Sequence, residues 1–316
     1  MIDTTPTTSV AAPPMGTEKE TPLPVRPRSR SAPSNTYYGR PVLKAPVWKD
    51  AVGLYFFTGG LAGAAGALAF GARLAGKHEL ARGARRLGLV AASASAPLLI
   101  ADLGRPERFL NMLRVFKPTS PMSVGTWLLT SFSGASALAN LAATAGGLGP
   151  IGAAADAASA VLGLPLSTYT AVLLADTQVP VWHEARTALP LVFAASSAAS
   201  AGASSCLFAA PKDARPARRL AVFGALVELA SFAAMEVQLG HLAKPYKVGA
   251  PARLARTAQA CTAAGAALLL AGNRSRRRAT AGALVLIAGT IAERLAILRA
   301  GPESAHATSG VNTIHS

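Results

Sequence analysis

Several charged residues fall inside or at the edges of long apolar runs: Asp50, Asp102, Asp156, Glu228, Glu236, Glu293 and Arg294. A charge placed in hydrocarbon costs about 2.5–3.5 kcal/mol on insertion scales, so each of these residues calls for a partner or a task. Glu228 and Glu236 share one run at a spacing of eight, which on a helix sets them about 80° apart around the axis and ~12 Å apart along it. Two acids so placed suit a proton relay, with Glu236 near the helix end and close to His241; the plainer role is hydrogen bonding between helices. Glu293 beside Arg294 reads as a structural ion pair near a helix end. Tyr169 stands among Ser167, Thr168 and Thr170, a polar patch in an apolar helix. Its hydroxyl can hydrogen-bond a ligand carbonyl, and aromatic rings wall in a planar group.

The most distinctive stretch is Asp102 to Trp127, DLGRPERFLNMLRVFKPTSPMSVGTW. Gly104 and Pro106 end the preceding helix, because glycine reaches left-handed dihedrals and proline cannot continue the hydrogen-bond ladder. Asp102 then sits at the unfavourable end of the helix dipole, with Arg105 and Arg108 as candidate partners.

The elements that must position these groups follow from composition. The chain of 316 residues is 51% hydrophobic and only 15% charged, with mean hydropathy +0.35. Its apolar runs reach or approach the ~20 residues that span hydrocarbon, and they recur, which predicts an all-α, polytopic membrane protein. Eight spans are expected near 51–74, 84–102, 122–144, 155–175, 187–209, 217–239, 253–272 and 279–298, the fourth kinked at Gly163 and Pro165. Residues 1–36 read as a disordered tail without the apolar core of a cleavable signal, 37–49 as an interfacial strap anchored by Trp48, and 301–316 as a C-terminal tail. The net charge of +16 lies mainly in short loops and the N-terminal tail, which argues against nucleic-acid binding. Two cysteines, Cys206 and Cys261, are too few for an iron–sulfur cluster, which takes about four thiolates. None of the five histidines forms a mid-membrane pair on facing helices, so ligation of two b-type haems is not expected either.

A weak internal repeat accompanies the spans. Ala84-Arg85-Arg86-Leu87 matches Ala217-Arg218-Arg219-Leu220, Leu103-Gly104 matches Leu239-Gly240, and Asp102 aligns with Gln238. Four helices separate the copies, so both halves (roughly 50–150 and 180–300) run in the same direction, a parallel four-plus-four arrangement. The patterned sequence then gathers on the side of the termini: the strap, the Asp102 stretch, Gln178 to Glu184, and His241 to Tyr246. That face is expected to dock a partner. Basic residues divide about evenly between the two faces, so they do not set an orientation.

The Asp102–Trp127 stretch resembles the signature of the NrfD/PsrC family, membrane subunits of polysulfide-reductase-like respiratory complexes. Tyr37-Tyr38-Gly39-Arg40-Pro41, Lys44 to Trp48, Leu166 to Thr170, Pro180-Val181-Trp182 and Leu189 to Phe193 are similar too, in family order. The resemblance implies a multi-pass subunit of the bacterial cytoplasmic (inner) membrane that exchanges menaquinone or ubiquinone as substrate, without haem or cluster of its own. It implies two partners: a four-cluster ferredoxin-like iron–sulfur subunit and a molybdopterin catalytic subunit. Tyr169 matches the family's quinone-site tyrosine. Trp48, Trp182 and His241 complete the expected head-group site, with Asp50 and Asp102 as acids or water-holding groups. Arg40, Lys44, Arg105, Arg108 and Arg114 would draw in a partner with an acidic surface.

Two other functions fit parts of the pattern. A proton- or solute-translocating module would also use kinked spans and buried acids, although its functional sequence should lie at the midplane rather than at one face. A plain anchor would hold the partner without quinone chemistry.

Overall fold

The computed structural model describes residues 48–103, 107–145, 149–210, 213–272 and 275–311. All secondary structure among them is helical. The first helix, α1 (Asp50–Leu74), shows why: alanine, leucine and phenylalanine supply apolar surface, Asp50 sits in the first turn and Arg73 in the last, each at its favourable end of the dipole. It closes at Gly76, whose φ of +69° only glycine adopts cheaply. The Lys77 amide donates to the Ala72 carbonyl at 2.8 Å and the Gly76 amide to Arg73 at 3.0 Å, the paired bonds of a Schellman ending.

The chain then runs through α2 (His78–Leu103), the short α3 (Glu107–Arg114), α4 (Pro121–Ala145), α5 (Gly149–Ala175), α6 (Pro180–Glu184), α7 (Leu189–Phe208), α8 (Ala214–Leu239), α9 (Lys244–Lys247), α10 (Ala250–Ala271) and α11 (Arg276–Val311). Short 3-10 turns precede α7 and α9. Seven of these helices are long and apolar enough to cross a membrane: α1, α2, α5, α7, α8, α10 and α11. At 25 residues α4 has the length, but its serines, threonines and Asn140 keep it outside that set.

Two expectations are corrected. The fourth expected span begins earlier, at Gly149, and its helix runs on through Pro165 to Ala175. Gly163 is also a packing point: it faces Gly63 of α1 so closely that a Cβ on either would meet the other's backbone. Small residues permit such backbone approach in lipid. At the other end, α11 passes residue 300 and continues to Val311, burying Gly301 and Ala305 where a tail was expected.

Helix α1 packs against α2, α5, α7 and α11, while α7 packs against α8, α11, α5 and α1. The pairs α4–α5 and α10–α11 run alongside, with α2 touching α4 and α8 touching α10. The core has two parts of different character. One is rich in large rings, including Tyr55, Phe56, Trp182, Phe193, Phe232 and Tyr246; the other is mostly alanine, with Leu80, Leu269 and Leu286. The ring-rich part includes α6 and Tyr246 of α9, at the end of the bundle where α1 and α7 begin. The patterned loops therefore rest on rigid aromatic packing.

Candidate functional site

Tyr169 lies in the last two turns of α5, on the ring-rich side, and is 8% exposed. Its ring rests against Gly125 of α4 so closely that a Cβ there would overlap the phenol. Tyr55 of α1 is near enough to interact with it electrostatically. Among the described residues the Tyr169 hydroxyl has no hydrogen-bond partner, whereas neighbouring Ser167 and Thr168 donate back to their own helix, at 2.7 and 3.1 Å.

The other expected site residues divide. Both carboxylate oxygens of Asp50 accept from Arg299, from Nε at 3.1 Å and Nη2 at 2.6 Å, which ties the start of α1 to the late turns of α11. Asp50 is thus engaged structurally. Asp102 accepts the backbone N–H of Lys49 at 3.1 Å, so its partner is the entry to α1. Arginine 105 lies outside the described residues, and of Arg108 only the helical backbone is described. Arg40 and Lys44 also lie outside them, as do the tail and most of the strap. Arg114 is exposed in the last turn of α3.

Trp48 and Trp182 do come together, stacked at 5.5 Å with 17° between their planes. Trp182 is fully buried and donates its indole N–H to the Ile297 carbonyl at 2.8 Å. Its ring also abuts Gly301 of α11. The Trp182 donor is thus taken and its ring is part of the core. His241 is exposed on the turn before α9.

The acids near the bundle centre are gathered more closely than their spacing suggested. Glu228 of α8 is 3% exposed and accepts from Thr262 Oγ1 of α10 at 3.1 Å. Glu293 and Arg294 stand in the middle of α11, not near its end, and both are buried. Arg294 Nη2 donates to the Phe193 carbonyl at 2.8 Å and to Ser197 Oγ at 3.3 Å, with its guanidinium 3.6 Å from the Phe193 ring centroid. Among the described residues both Glu293 oxygens, Glu228 Oε2 and the Tyr246 hydroxyl are buried without a hydrogen-bond partner. Glu228 and Glu293 interact electrostatically, and Tyr246 interacts with both Glu293 and Glu236. Half-buried Glu236 has Lys247 as its countercharge. The order Glu228, Glu293, Tyr246, Glu236 leads from the interior to the patterned face.

A second buried charge lies toward the opposite face. Asp156 of α5, 3% exposed, accepts two hydrogen bonds from Arg85 of α2, at 2.7 Å from Nε and 2.6 Å from Nη2, with Arg73 3.9 Å away. The sequence marked Asp156 as odd without naming its partner. No group of three or more His, Cys, Asp or Glu side chains that could hold a metal occurs among the described residues.

These features define a multi-pass helical membrane protein with polar groups concentrated at particular points inside an apolar bundle. The family described as Polysulphide reductase, NrfD matches residues 43–302, and the chain belongs to that family. It is accordingly a membrane subunit of a respiratory reductase complex. Comparison with curated proteins returns no match.

Proposed function

We propose that this subunit binds quinone or quinol next to Tyr169 and exchanges electrons directly with an iron–sulfur protein docked on the face carrying α3, α6 and α9. The observation that carries the reading is Tyr169: a phenol in the wall of the bundle, held by Gly125, with its hydroxyl uncommitted. A menaquinone or ubiquinone carbonyl is an acceptor that such a hydroxyl suits. Quinol oxidation releases protons as well as electrons, so a base must lie near the quinol oxygens. Asp102, half-buried at the end of α2, is the acid on that rim with an oxygen to spare. The interior acids Glu228 and Glu236, joined through Glu293 and Tyr246, form the proton relay. Electrons leave to the partner, a four-cluster ferredoxin-like subunit that in turn serves a molybdopterin subunit. Arg40, Lys44, Arg105, Arg108 and Arg114 attract that partner. The membrane is the bacterial cytoplasmic one.

In this reading α4 is the eighth span and the bundle is two parallel repeats. In support, the packings of α1 on α2, α2 on α4, α4 on α5 and α1 on α5 have counterparts in α7 on α8, α8 on α10, α10 on α11 and α7 on α11. Asp102 bonds to the entry of α1, and Gln238 correspondingly donates to the Glu184 carbonyl and Thr187 Oγ1 just before α7, both at 3.1 Å.

Tyr169→Phe in the assembled complex tests the reading, since it removes only the hydroxyl. Quinone turnover falls while the iron–sulfur partner stays bound. Unchanged turnover would make the chain a plain anchor, and proton flux through vesicles holding this chain alone would make it a translocating module.

A further inference from the structure

At the opposite end of the bundle from Tyr169, a cavity of about 240 Å³ opens between α2 and α4, lined by Arg82, Arg85, Arg86, Asn140, Ala143 and Thr144. Its walls are two matched sets, each at spacing i, i+3, i+4 on one helix face. Three arginines line it and no Asp or Glu does. Arg85 is fixed from behind by Asp156, and Asn140 Nδ2 donates to the Arg85 carbonyl at 3.3 Å, bracing α4 against α2. Arg82 pairs with exposed Glu79 at 3.3 Å, and Arg86 has no ion pair among the described residues. Positive-inside bias accounts for cations near a membrane surface; it does not account for three on one concave wall.

The surface just deeper in the membrane is apolar and open. Val90, one turn below Arg86, is 65% exposed, and Leu141, level with the cavity on α4, is 61% exposed. A Cβ at Gly134, further down α4, would meet nothing. A soluble anion would use only the cationic cavity, whereas a lipid would use both zones. Basic pockets between spanning helices recognise anionic head groups in this way. We propose that this cavity binds the phosphate of an anionic phospholipid, whose acyl chains run inward past Val90.

The test uses the full chain, delipidated in neutral detergent, titrated with phosphatidylglycerol, phosphatidylcholine or sodium phosphate, with bound lipid counted by native mass spectrometry and Tm followed in parallel. Phosphatidylglycerol should be retained and raise Tm, and the other two should do neither. The double variant Arg82→Gln, Arg86→Gln should lose affinity for it by about 25-fold, at about fivefold per arginine. Ala143→Leu, which fills the cavity and leaves every charge in place, should lower retention as well, and covers the case of a double variant that fails to fold. The control Arg277→Gln, Arg278→Gln, at exposed positions opening α11, should bind as wild type does. An equal loss in that control, undiminished retention in the Ala143 variant, or a matching Tm rise from inorganic phosphate would overturn the proposal.

Discussion

Replacing Gly125 by alanine should disable quinone turnover while leaving the protein folded. The added methyl would lie 1.8 Å from Tyr169 Cζ, where ordinary carbon contacts are about 3.5–4.0 Å, so the phenol must give way by about 1.7 Å or more. Overpacking of that kind costs about 1–3 kcal/mol. Alanine in place of glycine in a helix interior returns about 0.8–1.0 kcal/mol, which leaves a net destabilisation of about 0–2 kcal/mol. The bundle survives that. Catalysis does not, because a reacting group misplaced by about 1 Å can cost 10²-fold. The assay is quinol oxidation by the purified complex, with retention of the iron–sulfur partner measured on the same preparation. A loss approaching 100-fold with the partner retained is the expected result. Turnover within a factor of three of wild type, with a folded protein, would sink the role given to Tyr169, since the tyrosine cannot keep its position with that methyl present.

Asp156→Ala leaves Arg85 without its carboxylate and should destabilise the chain by about 3–5 kcal/mol in detergent unfolding, whereas Asp156→Ala combined with Arg85→Ala should recover part of the loss. Strict additivity would show that the two do not act as a pair. Trp182→Ala empties a fully buried site and should cost about 3–5 kcal/mol, read in the same assay. Glu228→Gln keeps an oxygen to accept from Thr262, so stability should hold while proton release coupled to quinol oxidation falls; release at the wild-type rate would remove Glu228 from the relay.

The helices were legible because length and apolarity are local properties of the chain, and α1 and α7 reveal both. Helix α4 shows the limit: its length is right, but Ser131, Ser133, Ser136 and Asn140 lower its apolarity without preventing the helix. Partners were far less legible. Asp156 pairs with an arginine 71 positions earlier, and no periodicity within one helix reveals such a contact. Glu293 and Arg294 do interact, but adjacency did not reveal their other partners. Consecutive helical residues point about 100° apart, so Arg294 reaches α7 while Glu293 joins the electrostatic field of Glu228. The long-range partner of Trp182 was hidden too, since an indole suited to a head group serves equally well to weld α6 to α11.

That weld has a mechanical consequence. Trp48 lies flat on a ring that cannot shift, because its indole nitrogen, its far edge and its depth are all fixed by α11. The polypeptide is therefore clamped just before it enters the first helix, and force applied upstream stops at the clamp instead of prying α1 from its neighbours. A bulky fusion joined ahead of residue 37 should leave the bundle's melting behaviour unaltered, and the same fusion on a Trp48→Ala background should not.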